Sequence, residues 1–364
     1  MNDIEIIHLT KKKLRDAVYN NTFWNNNLSA LPKNKAIWLI NNKRIEEDDY
    51  CGVIAQENNN IVGFIYMIPD ILINSKNEQK KIYWMIYWWV LEKYESNVLS
   101  TYIYNEALSL INNQAIVKSY TESVSSFYEK MPFKVIQSRL RHTIFFSLDA
   151  SILFARFNFL KYFKGPVKLL DLISGASLRF INLKKVKKRT KKLKYDYINK
   201  LDSKTWQFIE PLCKKDLIYK TKDYIDWQIC PNQYTKALIE SKFPYKTLET
   251  GISSNISVYN IKVLHDSMII GFISFVINYN ELNIKYFLAK NDNFYNLCVD
   301  ALIEHLIKLK RNFIFTDDSK LASTISKRFS TIFTHKVSKN ALAHNNIDFD
   351  FENSMVLNRD GHFY

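Results

Sequence analysis

The sequence predicts an α/β (α+β) fold in two tandem halves, each a mixed β-sheet flanked by helices. Three observations carry that prediction. The chain has 364 residues, more than one ordinary hydrophobic core supports. An apolar hairpin occurs twice, as VIAQENNNIVGFIYMI at residues 53–68 and IKVLHDSMIIGFISFV at residues 261–276, with Gly63-Phe64-Ile65 and Gly271-Phe272-Ile273 in the same place 208 residues apart. The same succession of strand and helix follows each copy, and a strand, helix, strand unit attached to an antiparallel hairpin implies a mixed sheet with helices on its faces.

Taken in order, MNDIEIIHLTKKK lacks the continuous apolar centre of a secretion signal and reads as the first strand and the start of a helix. In the first hairpin the polar turn is Glu57 to Asn60. The apolar run KIYWMIYWWVL follows as a strand, then residues 95–112 place Leu99, Ile103, Ala107, Leu108 and Ile111 at helical spacing. Residues 115–119 read as a strand and residues 124–130 as a helix. In the second half the turn is His265 to Ser267, LNIKYFLAK is the strand, and residues 294–310 form a helix with His305 on its apolar face as a satisfied core residue. A strand at residues 312–316 and a helix at residues 319–329 complete the repeat. The boundaries implied are residues 1–148, a helical and basic linker at 149–199, and residues 200–364.

The linker carries two features. SILFARFNFLKYF (residues 151–163) is aromatic and is broken by Gly165 and Pro166, with a second apolar stretch at residues 167–181. It reads either as linking helices packed on the two halves or as an interfacial element laying aromatics on a membrane with cations at headgroup level. KKVKKRTKKLK, opening on Lys184 and closing on Lys194, then holds eight basic residues of a chain whose net charge is +15. Such a block either is a solvated linker or attracts phosphates, on an anionic membrane surface, tRNA or a nucleotide-linked substrate.

Composition excludes several classes. With 47% hydrophobic and 15% aromatic residues the chain is not disordered, and its longest apolar runs, ten residues each at 82–91 and 268–277, fall short of the roughly 18 needed to span a bilayer. Cys51, Cys213, Cys230 and Cys298 have no short pair spacing, so neither a disulfide framework nor a Cys metal site is indicated, and a reducing, cytoplasmic setting is expected, with the basic run able to hold the protein at the inner face of the membrane. The seven histidines show no ligand spacing, and no metal is expected. No Ser-His-Asp set, Walker loop or dinucleotide fingerprint is visible, which argues against hydrolase, kinase and dehydrogenase chemistry.

Gly63 after its hairpin, the extended WWVLEKYE, the following helix and SFYEKMPFK (residues 126–134) together resemble the GNAT (general N-acetyltransferase) superfamily, where hairpin, splayed strand, phosphate-holding turn and a Tyr-Glu-Lys-x-Gly-Phe segment occur in that order. The resemblance covers most of residues 1–148 and, more loosely, 200–364, where DYIDWQICPNQY and the terminal NRDGHFY are similar to double-domain members found among surface-polysaccharide genes. It implies acetyl-CoA or another acyl-CoA as co-substrate, held by the strand backbone at Trp89, Val90 and Leu91, by the turn and helix start Ser96, Asn97, Val98, Leu99 and Ser100, and by Thr121. It implies Tyr128 as the acid beside the donor's sulfur; Glu122 and Glu129 are candidates for the base by their nearness to it in sequence alone.

The chain departs from the pattern in its turn. The family's two glycines bare the backbone N–H groups that hold a pyrophosphate, whereas this turn has none and carries Glu95; the equivalent turn of the second half, KNDNFYN, lacks them as well, and Pro132 replaces the glycine before Phe133. His142 with Arg139 and Arg141 is a further phosphate-binding option, and Asp226 and Trp227 serve either the family pattern or a helix anchor. The function implied is transfer of an acyl group to an amine, on a nucleotide-linked amino sugar of polysaccharide assembly. The alternatives are a Fem-type aminoacyl-tRNA-dependent transferase, with the basic run on the tRNA, or an inactive GNAT-like scaffold.

Overall fold

The computed structural model describes residues 4–24, 33–73, 78–95, 98–231, 256–278, 280–352 and 355–361. In chain order these form β1 (Ile4–Thr10), α1 (Lys11–Asn20), α2 (Lys33–Ile40), β2 (Tyr50–Glu57), β3 (Asn60–Ile73), β4 (Gln79–Val90), α3 (Val98–Leu110), β5 (Ala115–Val117), α4 (Ser125–Lys130) and β6 (Phe133–Phe145). The helices α5 (Ala150–Arg156) and α6 (Lys164–Arg189) lead to β7 (Leu193–Tyr197), α7 (Ser203–Ile209) and α8 (Lys222–Gln228). Then follow β8 (Ser257–His265), β9 (Met268–Asn278), β10 (Glu281–Ala289), α9 (Asp292–Lys308), β11 (Phe313–Thr316), α10 (Ser319–Arg328) and β12 (Phe333–His344).

Both hairpins form with two-residue turns. Asn58 and Asn59 have φ of 50° and 62°, Asp266 and Ser267 φ of 47° and 65°. Paired left-handed residues give the turn twist that matches two right-twisted strands. Gly63 pairs with Ala55 and Val90, and Gly271 with Val263 and Ala289, so the two occupy equivalent central-strand positions. The hairpin strands read as apolar runs because both faces are covered: Ile54, Phe64 and Tyr66 belong to one core, Val53, Ile65 and Met67 to another.

The mixed α/β class stands, but the two expected sheets are one. The order is β1-β2-β3-β4-β5-β12-β6-β11-β10-β9-β8-β7. Among the described strands only β4–β5 and β10–β11 pair in parallel. The join is a strand exchange: β6 of the first half pairs with β11, while β12 of the second half pairs with β5. The exchanged strands then pair with each other from Phe133↔His344 to Phe145↔Phe333. Each half-sheet thus borrows its last strand from the other, and two edges that would otherwise stay open are closed.

A reciprocal contact lies off the sheet. Trp38 of α2 and Trp227 of α8 stack at 4.0 Å, and each indole Nε1 donates to the other's backbone carbonyl, at 2.8 and 2.7 Å. Helices α3, α4, α9 and α10 cover the opposite face through separate cores. Between the halves, Gly165 and Pro166 fall in the first turn of α6, where proline's missing N–H costs nothing, so they begin a helix rather than end one. The basic run is divided: its first six residues end α6 and its last two enter β7.

Candidate functional site

The parting of β4 from β5 defines the site. These strands pair only at Tyr83↔Ala115 and Trp84↔Ile116, after which the β5-side edge of β4 has no strand partner among the described residues. A bulge at Tyr87 and Trp88 accompanies the parting; Phe64 pairs with Trp89 and Tyr66 with Ile86, leaving two β4 residues opposite Ile65. Tyr87 takes φ 50° to make it. The extra residue flips the alternation: Ile82, Trp84 and Ile86 face one core, whereas Trp88 and Val90 face the other, toward α3. In β10 the same device appears at Lys285, between Ile284↔Phe275 and Tyr286↔Ser274, and β10 pairs with β11 only as far as Asn283.

The expected donor-site residues fall around this parting. Trp89 packs on Phe64 at 5.6 Å, Val90 and Leu99 enter the α3-side core with Tyr128, and the Leu91 N–H donates to Val62 O at 2.7 Å. Val98 is exposed at the start of α3, and the Ser100 carbonyl accepts from Trp88 Nε1 at 3.1 Å. Ser96 and Asn97 lie outside the described residues. Thr121 and Glu122 are exposed in the loop before α4, where Thr121 Oγ1 meets Ser123 Oγ at 2.9 Å and the Glu122 carbonyl accepts from Ser125.

Tyr128 sits in an aromatic cluster with Tyr104, Tyr120, Phe127 and Phe133, and its hydroxyl accepts from Tyr104 at 3.3 Å. Burial pushes its pKa up to about 12. The group is therefore a neutral phenol at pH 7, fit to donate a proton and not to remove one.

The mouth of the parting is acidic. Glu92 and Glu95 follow β4, and Lys93 between them is drawn off to Glu57 at 2.5 Å. In the second half Asn291 closes the equivalent turn itself, its Oδ1 accepting from the N–H groups of Asn293 (3.1 Å) and Phe294 (3.3 Å). Those are the donors that a helix start offers to an anion, so this turn is satisfied internally.

What the sequence reading missed is a buried polar seam where the halves meet. Arg139 and Arg141, considered above for phosphate, both pair with Asp317, at 3.0 and 3.4 Å, and Arg139 also donates to the carbonyls of Val356 and Lys118. His142 is buried against Ser319 at 3.0 Å, with its pKa lowered by desolvation. Residues 355–361 are threaded through the seam: Lys118 Nζ donates to the Asn358 and Asp360 carbonyls at 2.8 and 2.6 Å, Lys220 pairs with Asp360 at 2.6 Å, Arg359 forks onto Asp216 at 2.7 and 2.6 Å, and Gln228 donates to the Arg359 and Gly361 carbonyls. Gly361, at φ +64°, lies flat on Trp84, where a Cβ would stand 3.2 Å from the ring. Lys35 and Lys285 are buried near this seam with pKa values lowered to about 7, chiefly by desolvation. In sequence these residues are single charges scattered from Lys118 to Asp360, and nothing local states their pairing.

A cleft of about 440 Å³ lies between α3 and the start of β6, lined by Asn105, Leu108, Met131, Pro132 and His344. None of the expected donor residues lines it. Among the described residues no cluster of His, Cys, Asp and Glu could hold a metal ion, no disulfide joins the four cysteines, and no helix is long and apolar enough to cross a membrane.

No protein-family profile matches the sequence, and no curated protein matches it. Among solved structures the chain is similar to a GCN5-related N-acetyltransferase from Anabaena variabilis (9% identity, TM-score 0.46, covering 93% of this chain and 72% of that one). It is similar also to one from Kribbella flavida (9%, 0.46, 93% and 71%) and to Eis1 from Mycobacterium abscessus (11%, 0.42, 94% and 73%). At these identities and TM-scores, none of the similarities assigns this chain an activity.

Proposed function

We propose that this chain is an N-acyltransferase that moves an acyl group from acyl-CoA to an amine, with the donor at the parting of β4 and β5. The observation that carries the reading is the freed edge of β4 from Met85 to Val90, beside a bulge that turns Trp88 and Val90 toward α3. A strand edge without a strand partner offers backbone N–H and C=O groups to an extended, amide-bearing arm such as pantetheine, in the manner of an added strand. That edge fits the arm. The turn beyond it, with Glu92 and Glu95, fits the pyrophosphate less well, so donor binding is expected to be weak.

In the reaction the neutral amine attacks the thioester carbonyl, the C–S bond breaks as the amide C–N bond forms, one proton leaves the nitrogen and one reaches the departing sulfur. Tyr128, held protonated by burial, is the group suited to protonating the thiolate; Glu122 is a candidate to receive the ammonium proton through water. The acceptor we infer, a nucleotide-linked amino sugar in surface-polysaccharide assembly, rests on the resemblance of the second half.

The decisive experiment measures transfer from acetyl-CoA, and from charged tRNA, to a nucleotide-linked amino sugar, in the parent and in Tyr128→Phe. A working acid costs turnover on the order of a hundredfold with folding intact. Equal rates in the two proteins reduce Tyr128 to packing. A second reading, an inactive scaffold, is favoured by the self-capped turn at Asn291; it predicts no acetyl-CoA binding by calorimetry and no transfer from either donor.

A further inference from the structure

The helices between the halves are built inside out. Along α6, the side turned to the body carries Gly175 against Ser147, Arg179 donating to Asn312 Oδ1, Asn182 exchanging hydrogen bonds with the Ser330 backbone at 2.8 and 2.9 Å, and Val186 in the core. The side turned to solvent carries Leu169, Leu172, Ile173, Phe180 and Leu183, with Leu172 70%, Phe180 58% and Ile173 53% exposed. These positions recur at i, i+3, i+4, i+11 and i+14, so they share one helical face. Preceding them in space and sequence, Phe159, Tyr162 and Phe163 are exposed as well. Eleven of the twenty-one exposed large apolar side chains among the described residues lie between Phe157 and Leu183. A contiguous apolar face of this kind marks an interaction surface.

The charge on the same elements identifies what covers it. Residues 150–194 hold thirteen Lys and Arg residues against one acid, Asp171. Asp171 itself is turned inward, its two oxygens accepting from the Asp149 and Ala150 N–H groups at 3.0 Å each. Cations flank the apolar face at both ends: Arg156, Lys161, Lys164 and Lys168 before it, Lys184, Lys187 and Lys188 after it. Lys184 Nζ rests over the Phe180 ring at 4.3 Å, and Arg156 lies over Phe157 at 5.9 Å. A second copy presenting the same face would bring like charges together. Nucleic acid would answer the charge but leave leucine, isoleucine and phenylalanine in water. A surface that is apolar below and anionic at its boundary answers both.

We infer that α5, the turn at Asn158–Phe163 and α6 form a docking face for an anionic lipid bilayer, with α6 lying in the plane of the membrane, its apolar side at the acyl boundary and its lysines among the headgroups. This inference is independent of the acyl-transfer reading.

The test is co-flotation of the full chain with vesicles of phosphatidylcholine alone or with roughly a third phosphatidylglycerol. The expected result is binding to the anionic vesicles only, weakened by roughly 0.5 M NaCl, which shortens the screening length to a few ångströms. Each cation at an anionic surface multiplies affinity about fivefold, so replacing Lys184, Lys187 and Lys188 by Ser lowers it about a hundredfold. Replacing Leu169, Ile173 and Phe180 by Ser lowers it on the order of a hundredfold or more, with an unchanged circular dichroism spectrum because these side chains are exposed. Failure to float with anionic vesicles overturns the inference, as does binding unchanged in either variant. So does a dimer, found by sedimentation, that the apolar triple variant dissociates.

Discussion

Removing the charge of Asp360 tests whether the seam holds the two halves together. Asp360 and Lys220 meet at 2.6 Å with side chains 0% and 1% exposed, and Asp360 Oδ2 also accepts the Leu357 N–H at 2.7 Å. Asp360→Asn keeps the volume and an acceptor for Leu357 but strands the Lys220 ammonium in a dry site. Breaking such a pair from one side costs about 3–5 kcal/mol, because the remaining charge has lost its water and its partner. Lys220→Met strands the carboxylate and costs a similar amount. The double variant leaves neither charge of this pair stranded, so it is expected to lose only about 1–2 kcal/mol, giving a coupling of several kcal/mol in the cycle. Urea unfolding of the four proteins, followed by tryptophan fluorescence, reads these values. In a thermal scan 4 kcal/mol corresponds to roughly 5 °C, taking about 2 cal/mol/K of unfolding entropy per residue over a chain of this length. Burial also predicts that the cost is insensitive to salt. A single variant within about 0.5 kcal/mol of the parent, or strictly additive singles, would refute the role given to residues 355–361.

Gly271→Ala is expected to cost about 1–3 kcal/mol, since its Cβ would stand 2.4 Å from Cys298 Sγ; Cys298→Ala in the same chain should recover most of that, and Gly165→Ala, with nothing within 4 Å, should be neutral in the same unfolding assay. Trp38→Ala and Trp227→Ala should each cost about 3–5 kcal/mol and together cost less than their sum, because both remove the same ring stack, while each deletes only its own indole's bond to the other's backbone carbonyl. Stability should rise between pH 7 and about 8.5. Lys35 and Lys285 have folded values lowered to about 7 by burial against about 10.4 unfolded, so the unfolded chain binds more protons in this window and the penalty present at lower pH is progressively relieved. The gain is about 3 kcal/mol at most from the two, and Lys35→Met should remove about half. Above about 8.5 the buried thiols of Cys51, Cys213 and Cys298, held protonated by burial while unfolded thiols ionise, oppose it. Stability that is flat across pH 7 to 8.5 would contradict the burial of these lysines.

The two hairpins and the helices that follow them were legible because their parts are local. A short polar turn, apolar strand runs and a 3.6-residue helical stripe are all written within a dozen or so positions, so the hairpins, the helix at Val98–Leu110 and the helix at Asp292–Lys308 follow from the chain itself. The inverted character of the linker was half legible: its apolar and basic residues are plain in sequence, but only the packing of Gly175, Asn182 and Val186 against the body shows that the leucines face outward.

The exchanged strands were not legible. FKVIQSRLRHTIF and FTHKVSKNALAH are mixed in polarity and pair with segments about two hundred positions away, and no local pattern states a partner. The bulges at Tyr87 and Lys285 were hidden for a related reason. A single extra residue reverses which face every later side chain occupies, and that reversal is set by the neighbouring strand. The charges of the seam were visible one by one. Their pairing, Lys220 with Asp360, Arg359 with Asp216 and Arg139 with Asp317, exists only once the sheet brings residues 118, 139, 220, 317 and 360 to one buried place. Sequence by itself thus determined the repeated elements and the composition of the linker face. The joining of the halves and the burial of their charges were decided by tertiary structure, because both depend on contacts whose energy lies between segments far apart in the chain.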